Sequence, residues 1–165
     1  MTPPDHFTPA GDVIYAKLVL TDPPFLRKKK YTGRRAAGVR YEKKVQEHLL
    51  FLYPDSYVPG PWLYFRANGS AQHRWCQPDG LIFDVPRGII TIVEVKYSHT
   101  SDAWWQVKKL YLPVLRKIFP EDLWIFQVCE VVKWYDPAVY FPENIQLTVD
   151  IAHPTNKFKV HLWRP

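Results

Sequence analysis

From Ile89 to Tyr97 the chain reads Ile-Ile-Thr-Ile-Val-Glu-Val-Lys-Tyr, an apolar, β-branched segment bounded by Gly88 and Ser98. That is the pattern of a buried strand. Side chains alternate along a strand, so Ile90, Ile92, Glu94 and Lys96 share one face, and Ile89, Thr91, Val93 and Val95 the other. Two charged groups therefore continue the face on which Ile90 and Ile92 lie. Charged side chains are seldom buried unless paired, so a strand serving architecture alone would rarely carry them there.

The elements around this strand give an α/β organisation. Arg35 to Tyr53 has the periodicity of a helix, with Ala37, Tyr41, Val45, His48, Leu49 and Leu52 recurring on one side and Pro54 ending it. Glu42 borders that inward side. Trp62–Arg66, Arg74–Gln77 and Leu81–Phe83 read as strands, with turn signals at Pro59-Gly60-Pro61, Asn68-Gly69 and Pro86-Arg87-Gly88. Pro78-Asp79-Gly80 lies at a bend between two of them. Ser101 or Asp102 caps a second helix running to about Phe119, in which Pro113 predicts a kink or break. Leu123 to Trp134 is almost continuously apolar, as a strand covered on both faces would be. Strand, helix and strand in that order predict a crossover between parallel strands. Ile145–Ile151 and Phe158–Leu162 alternate, predicting a hairpin through His153–Asn156. Val13–Leu20 fits either a short strand or a helical turn.

The length of 165 residues suits one domain over residues 1–165. Within it, residues 1–12 are expected to fray, 35–134 to form the core and 145–163 to add strands. There is no long apolar run, so no membrane span is expected, and no secretory pattern opens the chain. Cys76 and Cys129 read as free buried thiols, which suits a reducing cytoplasm, bacterial or phage-infected. The six histidines have no zinc spacing; His73 and His99 lie near the motif strands, and His99 could touch a phosphate. A net charge of +6 and an isoelectric point near 9.3 favour a polyanionic partner. Arg27-Lys28-Lys29-Lys30, followed by Arg34 and Arg35, is either a solvated loop or an arm that grips phosphates.

Glu42, Asp79, Glu94 and Lys96 stand in that order along the predicted elements. Fourteen residues separate Asp79 from Glu94, enough for one strand to turn and return as an antiparallel neighbour, with the carboxylates side by side. Such a pair suits magnesium, which needs one or two protein carboxylates and keeps several waters. The ammonium of Lys96 reaches the same space. The plainer reading is a surface Glu94–Lys96 pair on an edge strand, with an ordinary turn at Asp79-Gly80.

Pro78, Asp79, Glu94, Val95 and Lys96 together resemble the motif of the PD-(D/E)xK nuclease superfamily, whose common core has the order helix, three strands, helix, strand. The resemblance covers about one hundred residues, Arg35 to Trp134. It implies a restriction-endonuclease-like αβββαβ core with a mixed central sheet flanked by helices. It also implies magnesium, replaceable by manganese, held by Asp79, Glu94 and the Val95 carbonyl, with Glu42 acting through water and Lys96 serving the nucleophilic water. Members related to the RecB nuclease domain place a glutamine where Gln106 falls and a tyrosine one turn on; here the tyrosine is Tyr111, five residues on.

The implied activity is hydrolysis of DNA phosphodiesters, by an endonuclease of recombination or repair such as a junction resolvase or phage-type nuclease. The alternatives are a RecB-like exonuclease, or a catalytically idle DNA-binding subunit on the same fold. Lys28, Lys29, Lys30, Arg34, Arg35 and His99 would contact DNA, and a homodimer is a further expectation, since resolvases and many restriction enzymes act as dimers to cut two strands.

Overall fold

The structure, a computed structural model, describes residues 12–136, 139, 147–152 and 157–165. Of residues 1–12, expected to fray, only Asp12 is among the described residues, and its carbonyl accepts a hydrogen bond of 2.7 Å from the Asn68 N–H; the expected turn over residues 153–156 also lies outside them. The architecture is mixed α/β. Its main sheet is built on β6 (Ile89–Ser98), which pairs antiparallel with β5 (Gly80–Asp84) and parallel with β7 (Ile125–Trp134). β2 (Tyr57–Pro59) extends the β5 edge. β9 (Lys157–Trp163) and β8 (Leu147–Ala152) extend the β7 edge, both pairings antiparallel. The order is β2-β5-β6-β7-β9-β8, so the strand carrying Glu94 and Lys96 is interior, not an edge.

A second sheet of three antiparallel strands, in the order β1-β3-β4, is made by β1 (Val13–Val19), β3 (Trp62–Ala67) and β4 (Arg74–Cys76). This settles Val13–Val19 as a strand. Its own alternation is loose, but β3 alternates strictly, burying Leu63, Phe65 and Ala67, and β1 pairs with it from Val13 to Val19 with one irregularity at Ile14. Pairing with a regular neighbour decides what local propensity leaves open.

The main sheet is covered differently on its two faces. α1 (Gly33–Leu52) lays Tyr41, Val45 and Leu49 on Val93, Val95, Cys129 and Val131. On the opposite face Ile90, Ile92, Phe126 and Val128 pack with the β6–β7 crossover and with Leu63, Phe65 and Cys76 of the second sheet. Both cysteines are free and buried.

The crossover is a helix in three parts: α2 (Asp102–Gln106), a π-helical turn over Val107–Tyr111, and α3 (Leu112–Ile118). The expected disturbance at Pro113 takes this form. Proline lacks an N–H and its ring clashes with the carbonyl four residues back. Here it falls in the first turn of α3, where no donor is missed. The wider turn before it also lets the Leu112 N–H reach the Val107 carbonyl, five residues back. Among the described residues no helix is long and apolar enough to cross a membrane.

Candidate active site

The site forms where β5 begins and β6 nears its end. Gly80 pairs with Val93, so Asp79, the residue before it, arrives beside Glu94 and Val95. The Asp79 Oδ2 accepts a hydrogen bond of 2.6 Å from the Val95 N–H. The N–H and carbonyl of one strand residue point to the same side, so the Val95 carbonyl also faces the Asp79 side of β6. Gly80 is part of a strand here, not of a turn. A Cβ on it would collide with the Tyr57 ring, and the Tyr57 hydroxyl lies 3.5 Å from the Asp79 carbonyl. Glycine is needed for close packing that fixes the Asp79 peptide.

Glu94 is 2% exposed, and its Oε1 lies 2.7 Å from the Lys96 Nζ. This is a buried pair on a central strand, so the reading as a surface pair on an edge fails. Its Oε2 is buried with no hydrogen-bond partner. An ionised oxygen in that state is costly unless a cation compensates it. Lys96 remains 23% exposed, leaving the cluster open to solvent.

Lys96 is held from its other side as well. Its Nζ donates to the Gln106 Oε1 at 3.4 Å, the Gln106 amide donates to the Tyr111 hydroxyl at 2.6 Å, and that hydroxyl donates to the Gln77 carbonyl at 2.8 Å. Gln77 lies two residues before Asp79, so the chain of contacts returns to the link between β4 and β5 that supplies the first carboxylate. In a plain α-helix, residues five apart do not face one another. The π turn makes them do so, and a spacing of five thereby serves as one turn.

The electrostatics follow from enclosing several carboxyls with one ammonium. Burial, the Asp79 charge and a smaller effect of Glu130 raise the Glu94 carboxyl to about 8, against the lowering effect of Lys96. Burial first, then Asp79, raises Glu42 to about 7. Asp79 is also raised by burial, drawn back in part by the Val95 N–H and Lys96. Burial alone would lower the Lys96 ammonium, but Glu94, by charge and hydrogen bond, and then Asp79 and Glu130 raise it above the ordinary lysine value. Burial keeps the Tyr111 hydroxyl far above the usual tyrosine range, so it stays a donor.

The structure brings together Asp79, Glu94, Val95, Lys96 and Gln106, with Glu42 of α1 close enough to act on them by charge. Comparison with protein-family models, with curated proteins and with solved structures finds no match to this chain. The site therefore rests on its own geometry. Among the described residues, no three His, Cys, Asp or Glu side chains form a ready-made metal cage. Two adjacent carboxylates, one with an orphaned buried oxygen, do fit an ion that keeps most of its waters, as magnesium does.

The expected DNA-contacting residues divide. Lys28, Lys29, Lys30 and Arg35 are exposed, and Arg34, also exposed, hydrogen-bonds the Ser98 hydroxyl at the end of β6 at 2.8 Å. His99 does not belong with them. It is buried, its Nδ1 lies 3.0 Å from the Asp136 carbonyl, and its ring stacks on Tyr135, so it ties the ends of β6 and β7 together.

Glu130 has no place in the reading from sequence, yet it pairs with Glu94 in the parallel register and is 0% exposed. Its signal was a charge inside the apolar run from Leu123, the same signal that singles out Glu94. A separate cavity of about 640 Å³, between the end of α1 and the sheet, is lined by Leu49, Leu52, Ile82, Ile89 and Leu162 among others, and none of the charged cluster lines it.

Proposed function

We propose that the chain is a magnesium-dependent nuclease acting on DNA, a member of the PD-(D/E)xK superfamily with a restriction-endonuclease-like core and an endonuclease of recombination or repair type. One observation carries this reading. A wholly buried glutamate with an unpartnered oxygen stands beside a second carboxylate and a lysine ammonium at the open end of a central strand. Asp79, Glu94 and the Val95 carbonyl would hold the metal, and manganese would substitute. When bound, magnesium supplies a water of lowered pKa and polarises the scissile phosphate.

The chain's own groups do the rest. Lys96, held between Glu94 and Gln106, is placed to orient water and to offset negative charge on the phosphoryl oxygens. Gln106 and Tyr111 fix the reach of Lys96 from the helix side, leaving less reorganisation for the reaction. Glu42, with its carboxyl near 7, accepts or returns a proton at the rim of the cluster. The exposed bases Lys28–Lys30 and Arg35 hold backbone phosphates by displacing counterions.

The test is a substrate panel of closed-circular DNA, linear duplex, single strand and a four-way junction, each with magnesium and with chelator. The reading expects nicking of closed circles with magnesium only. Attack confined to ends assigns an exonuclease, and gel shifts without cutting assign an idle binding subunit.

A further inference from the structure

The outer face of the three-stranded sheet has no part in the chemistry above, and its composition is unusual. β3 turns Leu63, Phe65 and Ala67 inward and leaves Trp62, Tyr64 and Arg66 on the far side, partly exposed. Registered neighbours place Lys17 and Trp75 on that same side, across from Tyr64. His73 stacks on Tyr64 with centroids 4.6 Å apart, and Tyr15 meets both rings edge-on. Trp75 touches Tyr64, Trp62 and Phe25, at 4.6, 6.2 and 5.8 Å. Lys17 lies 5.3 Å from the centre of the Tyr64 ring.

Two of these rings, Tyr15 and Phe25, are 44% and 58% exposed. An aromatic strip made only to fill a core would not lie on the face that the core does not touch.

The position of the strip matters as much as its chemistry. Trp75 precedes Asp79 by four residues, so at most about 13 Å of extended chain joins the strip to the candidate active site. Phe25 anchors one end of the segment holding Arg27–Lys30 on Trp75, and Arg34 anchors the other on Ser98, just past Lys96. The basic run therefore spans from the aromatic strip to the carboxylate cluster.

We infer that the outer face of the β1-β3-β4 sheet is a stacking platform for an unpaired DNA strand, and that it delivers the strand to the Asp79–Glu94 site from any unpaired stretch, a flap, a gap, an end or the melted region of a supercoiled circle. Rings stack on bases without regard to sequence, while neighbouring cations follow the phosphates. Lys17, Arg66 and the run Arg27–Lys30 supply that positive charge. The assignment of the cut rests on the nuclease reading above; the binding does not.

Fluorescence anisotropy in chelator, where nothing is cut, tests the binding. The probes are an oligothymidylate of about 20 nucleotides, long enough for one platform, and a blunt duplex of the same length. The single strand is expected to bind at least about tenfold more tightly. Trp75→Leu is expected to weaken it by roughly five- to a hundredfold, as loss of a stacking ring does, with duplex affinity nearly unchanged. Tyr15→Ala, an exposed position, carries the same test if Trp75→Leu fails to fold.

Equal affinity for the two probes, or full single-strand affinity in Tyr15→Ala and in folded Trp75→Leu, overturns the inference. So does a dimer in light scattering that Tyr15→Ala dissociates, because the face would then belong to a second copy. Single-strand preference without cleavage of any DNA supports the platform and removes only the nuclease reading.

Discussion

Glu94 is a carboxyl enclosed beside a second carboxyl, and both burial and that neighbour oppose its ionisation. Its carboxyl titrates near 8 and that of Glu42 near 7, both from an ordinary 4.5. The folded chain thus holds protons that the unfolded chain has released, and the stability present below the unfolded values is lost as pH rises through the folded ones. The metal-free melting temperature is expected to fall between about pH 5 and pH 8 from these groups. Magnesium binds the ionised carboxylates, so its stabilising effect should grow over the same window. A melting-temperature gap between magnesium and chelator that stays constant from about pH 6 to pH 9 contradicts this linkage. Tyr111→Phe removes the hydroxyl between Gln106 and the Gln77 carbonyl. Leaving that carbonyl without its donor should cost about 1–3 kcal/mol, read as a thermal shift of roughly 2–4 °C per kcal/mol. Looser positioning of Lys96 should slow cleavage about tenfold, and an unchanged rate would show that the Gln106–Tyr111 contact positions nothing. Glu94 and Lys96 were legible because charges on a buried strand face are anomalous on sight, and Asp79 because it stands at a bend one strand turn before them. Glu130 obeyed the same rule but was hidden inside a longer apolar run.

The crossover helix shows where element-level reading stops. Helical periodicity assumes a uniform turn of 3.6 residues, and on that assumption Gln106 and Tyr111 cannot meet. Pro113 announced a disturbance, but not that it would be a π turn that realigns the pair. The insertion can be tested directly. Deleting Lys109 together with Pro113→Ala gives an uninterrupted α-helix in which the tyrosine follows Gln106 by one ordinary turn. Cleavage and thermal stability should stay close to those of the parent. Deleting Lys109 alone forces proline into a helix interior and should cost about 3 kcal/mol. If both deletions behave alike in thermal melts, the π turn has no connection with the proline. β1 was ambiguous for a similar reason, since its identity lies in the partner it pairs with, and pairing across a second sheet is a long-range fact.

At the scale of the whole molecule, the order of strands places an interior strand end, a helix and a basic segment around one small volume. The helices and main strands followed from periodicity and the parallel crossover from their order along the chain, whereas the mixed sheet flanked by helices was what the resemblance implied. The split of the early strands into a second sheet did not, because nothing local says which hairpin leaves the main sheet. The positive charge should behave as a binding surface distinct from the chemistry. Replacing Lys28, Lys29 and Lys30 by glutamine should lower the slope of log affinity against log salt by about 2–3 for duplex DNA, and an unchanged slope demotes the run to a solvated loop. The central claim is that Glu94 is required for the cut and not for holding the DNA. The most direct measurement is the nicking rate of closed-circular DNA by wild type and by Glu94→Gln, in magnesium, at matched occupancy fixed by anisotropy in calcium. The account predicts a loss of at least about a thousandfold in rate, with DNA affinity held within about threefold. Nicking by Glu94→Gln at the wild-type rate, or no nicking by the wild type with either magnesium or manganese, contradicts it.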